Sequence, residues 1–179
     1  MRVIILPIRE LRADFVLSLL TEHALYREAH PLIEAVLAQI LRPELQILAW
    51  GTLALASAGV GQKERYHEAR EYILKLVDGS PEYAAAALVN SAEGARLVGE
   101  WDIGKDLAAQ AAEVAHARRD PDPEQRALKA LAEISAHEPR AVQAIPPAGN
   151  HIEMIARRIT YYLQARKRPA RRPVKLDLE

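Results

Sequence analysis

Histidine is the residue type best suited to bind a metal or transfer a proton near neutral pH, and the chain has six of them. They lie at positions 23, 30, 67, 116, 137 and 151. No two are four residues apart, so there is neither an HExxH motif nor a His pair on one helix face. Glu153 follows Asn150 at the spacing of a capping box. We therefore interpret residues 150–153, His151 included, as the start of a helix and not as a metal site.

Nucleophiles and phosphate-binding loops are also missing from the sequence. The chain has no cysteine and no GxSxG motif, so no thiol or activated serine can be assigned. The segment GVGQKER at 59–65 lacks the GxxxxGK[ST] spacing and follows a helical pattern instead of a strand. We predict a non-enzymatic protein without a cofactor or metal. The alternative is a helical enzyme whose site carries none of these motifs.

Composition favours a helical, water-soluble domain. Half of the residues are hydrophobic, Ala and Leu dominate, and there are only eight glycines. No apolar run approaches the ~20 residues of a membrane span, and the run at 3–6 is too short for a signal peptide. We expect a cytoplasmic protein that does not enter a membrane. Asn occurs only at 90 and 150, which is compatible with a heat-adapted or GC-rich bacterial source.

Apolar periodicity and turn residues predict seven or eight helices with short loops and no strand. The segments are about 8–22, 24–41, 44–58, 63–77, 81–98, 102–117, 123–137 and 151–167, with a short one at about 139–145. Pro31 should kink or restart the second segment, and Pro43 suits a first helical position. Ser80, Asp102 and Asp122 are predicted N-caps. Glycines at 59, 61 and 99 are predicted stops.

Two successive helix pairs, at about 44–77 and 81–117, have a common period of about 34 residues. The first pair carries Trp50, Leu53, Ala54, Tyr66, Ala69, Tyr72 and Ile73. The second carries Leu88, Ser91, Ala92, Ala95, Gly99, Trp101, Gly104 and Ala111. These large, small and aromatic positions resemble those of the tetratricopeptide repeat (TPR). The chain departs from that pattern because the first turn is about three residues too long and the terminal prolines come late.

The resemblance implies an all-α fold, a TPR-like α-α superhelix of antiparallel helix pairs. It implies one domain over 1–167 with units at about 24–41, 44–77, 81–117 and 123–145, a capping helix at 151–167 and a basic tail at 168–179. Stacked units bury the apolar faces that a single pair leaves exposed. The Ala-rich helix at 102–117 is expected to pack closely against its neighbour. The alternative is another Ala-rich helical bundle.

The resemblance also implies a function, which is the binding of a peptide or protein by a scaffold or adaptor. In TPR-like proteins the first helices of the units line a concave face. The positions that match this face are Asn90, Glu93 and Arg96, then Lys129 and Glu133, then Thr52 and Leu55, with Ala86 and Val89 beside them. A homodimer formed through an uncovered end of the array is a further expectation.

Charge is unevenly distributed although the net charge is zero. Residues 1–139 carry 15 Lys and Arg against 21 Asp and Glu, whereas residues 140–179 carry 9 against 3. Eight of these nine basic residues lie between 157 and 175, where there is no acid: Arg157, Arg158, Arg166, Lys167, Arg168, Arg171, Arg172 and Lys175. Three interpretations stay open. The segment is a solubilising end, it docks on the acidic body of its own chain or of a second copy, or it binds nucleic acid or another polyanion.

Overall fold

A computed structural model describes residues 20–40, 42–137 and 154–161, and every regular element in these ranges is an α-helix. The helices are α1 (Tyr26–Leu37), α2 (Pro43–Gly59), α3 (Lys63–Leu76), α4 (Pro81–Val98), α5 (Trp101–Arg118) and α6 (Pro121–Ser135). Residues 20–22 and 154–161 are also helical. The predicted all-α fold is confirmed.

The helix ends follow the turn residues of the sequence. Proline occupies the first turn of α2, α4 and α6, where its missing N–H costs no hydrogen bond. Gly61 and Gly99 adopt φ of +80° and +83°, as a residue just after a helix often does. After α4, the Glu100 N–H donates to the Ala95 carbonyl at 2.9 Å and closes the turn.

The predicted N-caps are wrong in detail. Ser80 does precede α4, but its side chain makes no capping hydrogen bond. Glu100 and Asp120 precede α5 and α6, which places Asp102 and Asp122 inside the first turns. Carboxylates there still interact favourably with the helix dipole, although both predicted caps lie two residues after the observed ones.

Pro31 lies inside α1, so the predicted restart of the helix at that residue is not observed. The neighbouring His30 has its Nε2 atom buried with no hydrogen-bond partner among the described residues. Burial lowers the pKa of His30 below its ordinary value of 6.5, while Glu34 raises that pKa and Arg65 lowers it further.

The lowered pKa of His30 predicts a loss of stability in acid. The unfolded chain takes up the imidazole proton at a higher pH than the folded chain. The folded state is therefore favoured above the ordinary pKa, and this contribution is lost as the pH falls through the folded-state value. Melting temperature should fall further in wild type than in His30→Gln between about pH 7.5 and about pH 5, on either side of ~6.5. Equal falls in the two proteins would contradict the assignment to His30.

The helices contact one another in chain order. Helix α2 packs most extensively on α4, and α5 packs on both α4 and α6. Helix α1 packs on α2, α3 packs on α2 and more lightly on α4, and α4 also contacts α6. These extensive contacts all join helices that are adjacent or next but one in the chain.

Small residues let the axes approach closely, as the Ala-rich sequence of α5 predicted. Ala108, Ala111 and Ala115 are fully buried on α5. A Cβ atom on Gly104 would lie 3.2 Å from the Ala92 carbonyl oxygen of α4. A Cβ atom on Gly51 of α2 would lie 2.6 Å from the Ala87 Cα of α4. Backbone therefore meets backbone at the α2–α4 contact.

Aromatic residues fill the space beside these small residues. Tyr66 of α3 is fully buried, and its hydroxyl donates to the Ser91 carbonyl of α4 at 3.3 Å. Burial raises the pKa of Tyr66 above 10.0. Trp50 of α2 stacks on Tyr72 of α3 with ring centroids 4.3 Å apart, and Tyr72 remains 42% exposed. These rings fix α3 against α2 and α4.

The C-terminal helical residues, 154–161, lie beside α1. Ala156 is fully buried and Ile159 packs against the core. Arg157 Nη2 is 3.8 Å from Glu28 Oε1 of α1. The structure describes only 154–161 of the predicted capping helix, and the predicted tail at 168–179 lies outside the described ranges.

Candidate protein-binding face

Six polar residues of α4 and α6 form one connected cluster, which we call the α4–α6 polar cluster. Its members are Asn90, Glu93 and Arg96 from α4, and Arg126, Lys129 and Glu133 from α6. On each helix the members are three or four residues apart, so each set lies along one face. The resemblance placed five of these six residues, all but Arg126, on the predicted binding face, and the structure brings the five together.

Arg96 is the centre of the cluster, but it is a buried residue. Its side chain is 2% exposed. The guanidinium donates to Glu93 at 2.6 Å and to Glu133 at 2.8 Å, so it joins α4 to α6. The expectation that Arg96 faces a ligand is therefore corrected, because α6 covers it. Its role here is to hold the two carboxylates in position.

The exposed part of the cluster is cationic and amide-bearing. Arg126 is exposed, and it donates from Nη2 to Asn90 Oδ1 at 3.1 Å. Lys129 is 75% exposed and its Nζ lies 3.8 Å from Glu133 Oε1. Among the described residues, the Asn90 amide nitrogen has no acceptor. Asn90, Arg126 and Lys129 can therefore offer hydrogen-bond donors to a ligand, whereas Glu93 and Glu133 are engaged by Arg96.

Arg126 was missed by the sequence reasoning. It lies three residues before Lys129 and seven before Glu133, so the helical spacing of the named residues includes it. The repeat pattern predicts Lys129 from its position within the unit, and it does not include Arg126, which lies on the same helix face one turn earlier.

The predicted contribution of α2 to this face is not observed. Thr52 is only 8% exposed, and its hydroxyl donates to the Leu48 carbonyl of its own helix at 3.1 Å. Leu55 and Val89 are also buried. The close approach at Gly51 brings α4 over this part of α2, which leaves little of Thr52 for a ligand.

Two of the predicted polyanion contacts lie in the described residues. Arg157 and Arg158 are both exposed, with Arg157 near Glu28 as stated above. The remaining six, Arg166, Lys167, Arg168, Arg171, Arg172 and Lys175, lie outside the described ranges.

The described residues hold neither a cluster of metal ligands nor a membrane-spanning helix. No group of three or more His, Asp or Glu side chains in 20–40, 42–137 and 154–161 could hold a metal ion. None of the helices in these ranges combines the length and the apolar character needed to cross a bilayer.

The chain was compared with protein-family models, curated proteins and solved structures, and none of the three comparisons gives a match. The all-α fold and the α4–α6 polar cluster are therefore established by this chain's own residues, and the likeness to tetratricopeptide repeats stays a resemblance.

Proposed function

We propose that the protein is a non-enzymatic scaffold or adaptor of the cytoplasm, built as a TPR-like helical array. It binds a peptide or protein segment over the α4–α6 polar cluster. The observation that carries this proposal is the row of Asn90, Arg126 and Lys129, whose donors lie together on two neighbouring helices.

The chemistry of the row suits a peptide. A side-chain amide such as that of Asn90 hydrogen-bonds a peptide backbone without regard to sequence. Arg126 and Lys129 supply charge-assisted hydrogen bonds to carbonyl or carboxylate oxygens. The buried Arg96 guanidinium binds Glu93 at 2.6 Å and Glu133 at 2.8 Å. It therefore holds both carboxylates away from a ligand that contacts the exposed donors of the row.

The packing order supports the repeat architecture. Helix α4 contacts α2 and α6, which are the first helices of the neighbouring units in the TPR-like scheme. Helices α3 and α5, the second helices of their units, each pack against the first helix of their own unit and the next. This is the order of contacts that stacked helix pairs require.

The double variant Asn90→Ala, Lys129→Ala tests the proposal in an affinity pull-down from source lysate. Each of the two residues, if central to an interface, contributes more than about 1 kcal/mol, so retention of the partner should fall about tenfold or more. The matched control is Gln62→Ala, Lys63→Ala, which removes the same two chemical groups from exposed positions at the start of α3. Equal retention by both variants, with unchanged helicity, would remove the assignment to the α4–α6 polar cluster.

A regulator that contacts nucleic acid or another polyanion is the second candidate. It is favoured by the exposure of Arg157 and Arg158 at the start of the basic segment. Truncation after Gln164 should abolish salt-sensitive binding to DNA or RNA if this function is correct. Absence of such binding at low salt in the full chain would exclude it.

A further inference from the structure

A second surface lies between α3 and α5, which both pack against α4. A groove of about 330 Å³ separates the two helices. It is lined by Arg70 and Leu74 from α3, and by Ile103, Asp106, Leu107 and Gln110 from α5. None of these residues belongs to the α4–α6 polar cluster.

The groove is apolar along its centre. Leu74 is 46% exposed and Ile103 is 37% exposed, whereas Leu107 is 5% exposed and forms the floor. Apolar surface exposed to water is favourable to cover, at ~25 cal/mol per Å². The exposed side chains of Leu74 and Ile103 can therefore bind the apolar residues of a peptide.

The rim of the groove is acidic on the α5 side. Asp102, Asp106 and Glu113 lie along one stripe of α5 and are all exposed. In the part of the chain that the structure describes, none of the three forms an ion pair. On the α3 side, Arg70 is occupied by Glu100 at 3.1 Å. These three carboxylates make the α5 side of the rim attractive to a cationic ligand.

We propose that this groove binds the C-terminal segment 171–178 of the same chain. That segment, RRPVKLDL, alternates Val174, Leu176 and Leu178 with other residues, so an extended chain presents the three apolar side chains on one side. Its charged residues are Arg171, Arg172, Lys175 and Asp177, so the segment carries a net charge of +2. The apolar residues cover Leu74 and Ile103, and the cations meet the carboxylates of α5.

The chain is long enough for this contact. The last helical residue that the structure describes is residue 161, in the helix that contacts α1 through Arg157. The path from α1 through α2 and α4 to α5 crosses three helix contacts, or ~24–30 Å at ~8–10 Å each. Ten residues from 161 to 171 span up to ~33–36 Å. The docked segment is then not free for a polyanion, which makes the two uses of the basic tail compete.

The absence of cysteine allows a direct test by disulfide trapping. The full chain carrying Ile103→Cys and Leu176→Cys should form an intramolecular disulfide under mild oxidation. The matched control is Leu128→Cys with Leu176→Cys, because Leu128 is an exposed leucine on α6, outside the groove. The groove pair should react at least about threefold more completely than the control.

Charge reversal tests the electrostatic part in the same background. Asp102→Lys with Asp106→Lys should lower the disulfide yield of the groove pair about threefold or more, since two attractive pairs become repulsive. Leu74→Cys replaces Ile103→Cys if the first variant loses helicity. A disulfide-linked dimer would show that a second copy occupies the groove. Equal yields from both pairs would show that the tail contacts the surface without preference. Either result overturns the proposal, as does no disulfide at all.

Discussion

Replacing Arg96 with methionine is expected to lower the free energy of unfolding by about 3 kcal/mol, the low end of the range for breaking a buried ion pair. The side chain is 2% exposed and holds Glu93 and Glu133, which are themselves 14% and 22% exposed. Methionine fills most of the volume but removes the buried cation that both carboxylates share. Urea unfolding followed by circular dichroism measures the change.

Lys129→Ala is the matched control for this prediction. Lys129 contacts the same Glu133 carboxylate, but at 3.8 Å and with 75% of its side chain exposed. Exposed pairs contribute ~0–1 kcal/mol because water already screens them. A loss for Arg96→Met no larger than that for Lys129→Ala would contradict the buried ion-pair assignment.

The triple variant Arg96→Leu, Glu93→Leu, Glu133→Leu separates the charge effect from packing. It removes all three charged groups, so no carboxylate is left unpaired. Buried ion clusters replaced by apolar residues are often neutral or stabilising. We expect the triple variant to be more stable than Arg96→Met. It should nevertheless lose partner binding if the α4–α6 polar cluster binds the partner, because the Glu133 carboxylate that Lys129 contacts is gone.

The sequence predicts the helices well because their ends are marked by residues with one backbone preference. Pro43 and Pro81 begin helices as predicted, and Gly99 follows the end of one with a φ of +83°. The last of these helices begins at Pro121, two residues before the predicted start at about 123. Burial of Tyr66 and the small residues of α5 also follows from their periodic spacing. These features depend on local sequence, which a single chain displays directly.

The candidate site is predicted less well because it depends on how two helices meet. Periodicity places Arg96 and Thr52 on a face of their helices, but it does not say whether a neighbour covers that face. Helix α6 covers Arg96, and the close α2–α4 contact leaves Thr52 buried. Arg119 shows the same limit at a helix end, since it adopts a φ of +57° where the sequence offers no glycine.

The close α2–α4 contact leads to the second large prediction, for Gly51→Ala. The added Cβ would lie 2.6 Å from the Ala87 Cα and 3.1 Å from its carbonyl oxygen, both backbone atoms that cannot rotate away. The two helices must separate along the most extensive contact in the fold. Overpacking of this kind costs ~3 kcal/mol, and the better helix propensity of alanine returns ~1 kcal/mol.

The net loss for Gly51→Ala is therefore about 2 kcal/mol, or a fall of about 4–8 °C in melting temperature for a chain of this size. Gly79→Ala is the matched control, because a Cβ there meets only the Leu76 carbonyl oxygen at an ordinary 3.8 Å. That substitution should change stability by less than about 0.5 kcal/mol, since it adds no clash and restricts the unfolded chain. Differential scanning calorimetry measures the melting temperatures of the two variants and of wild type. If the two variants melt at the same temperature, α2 and α4 are not in backbone contact at Gly51.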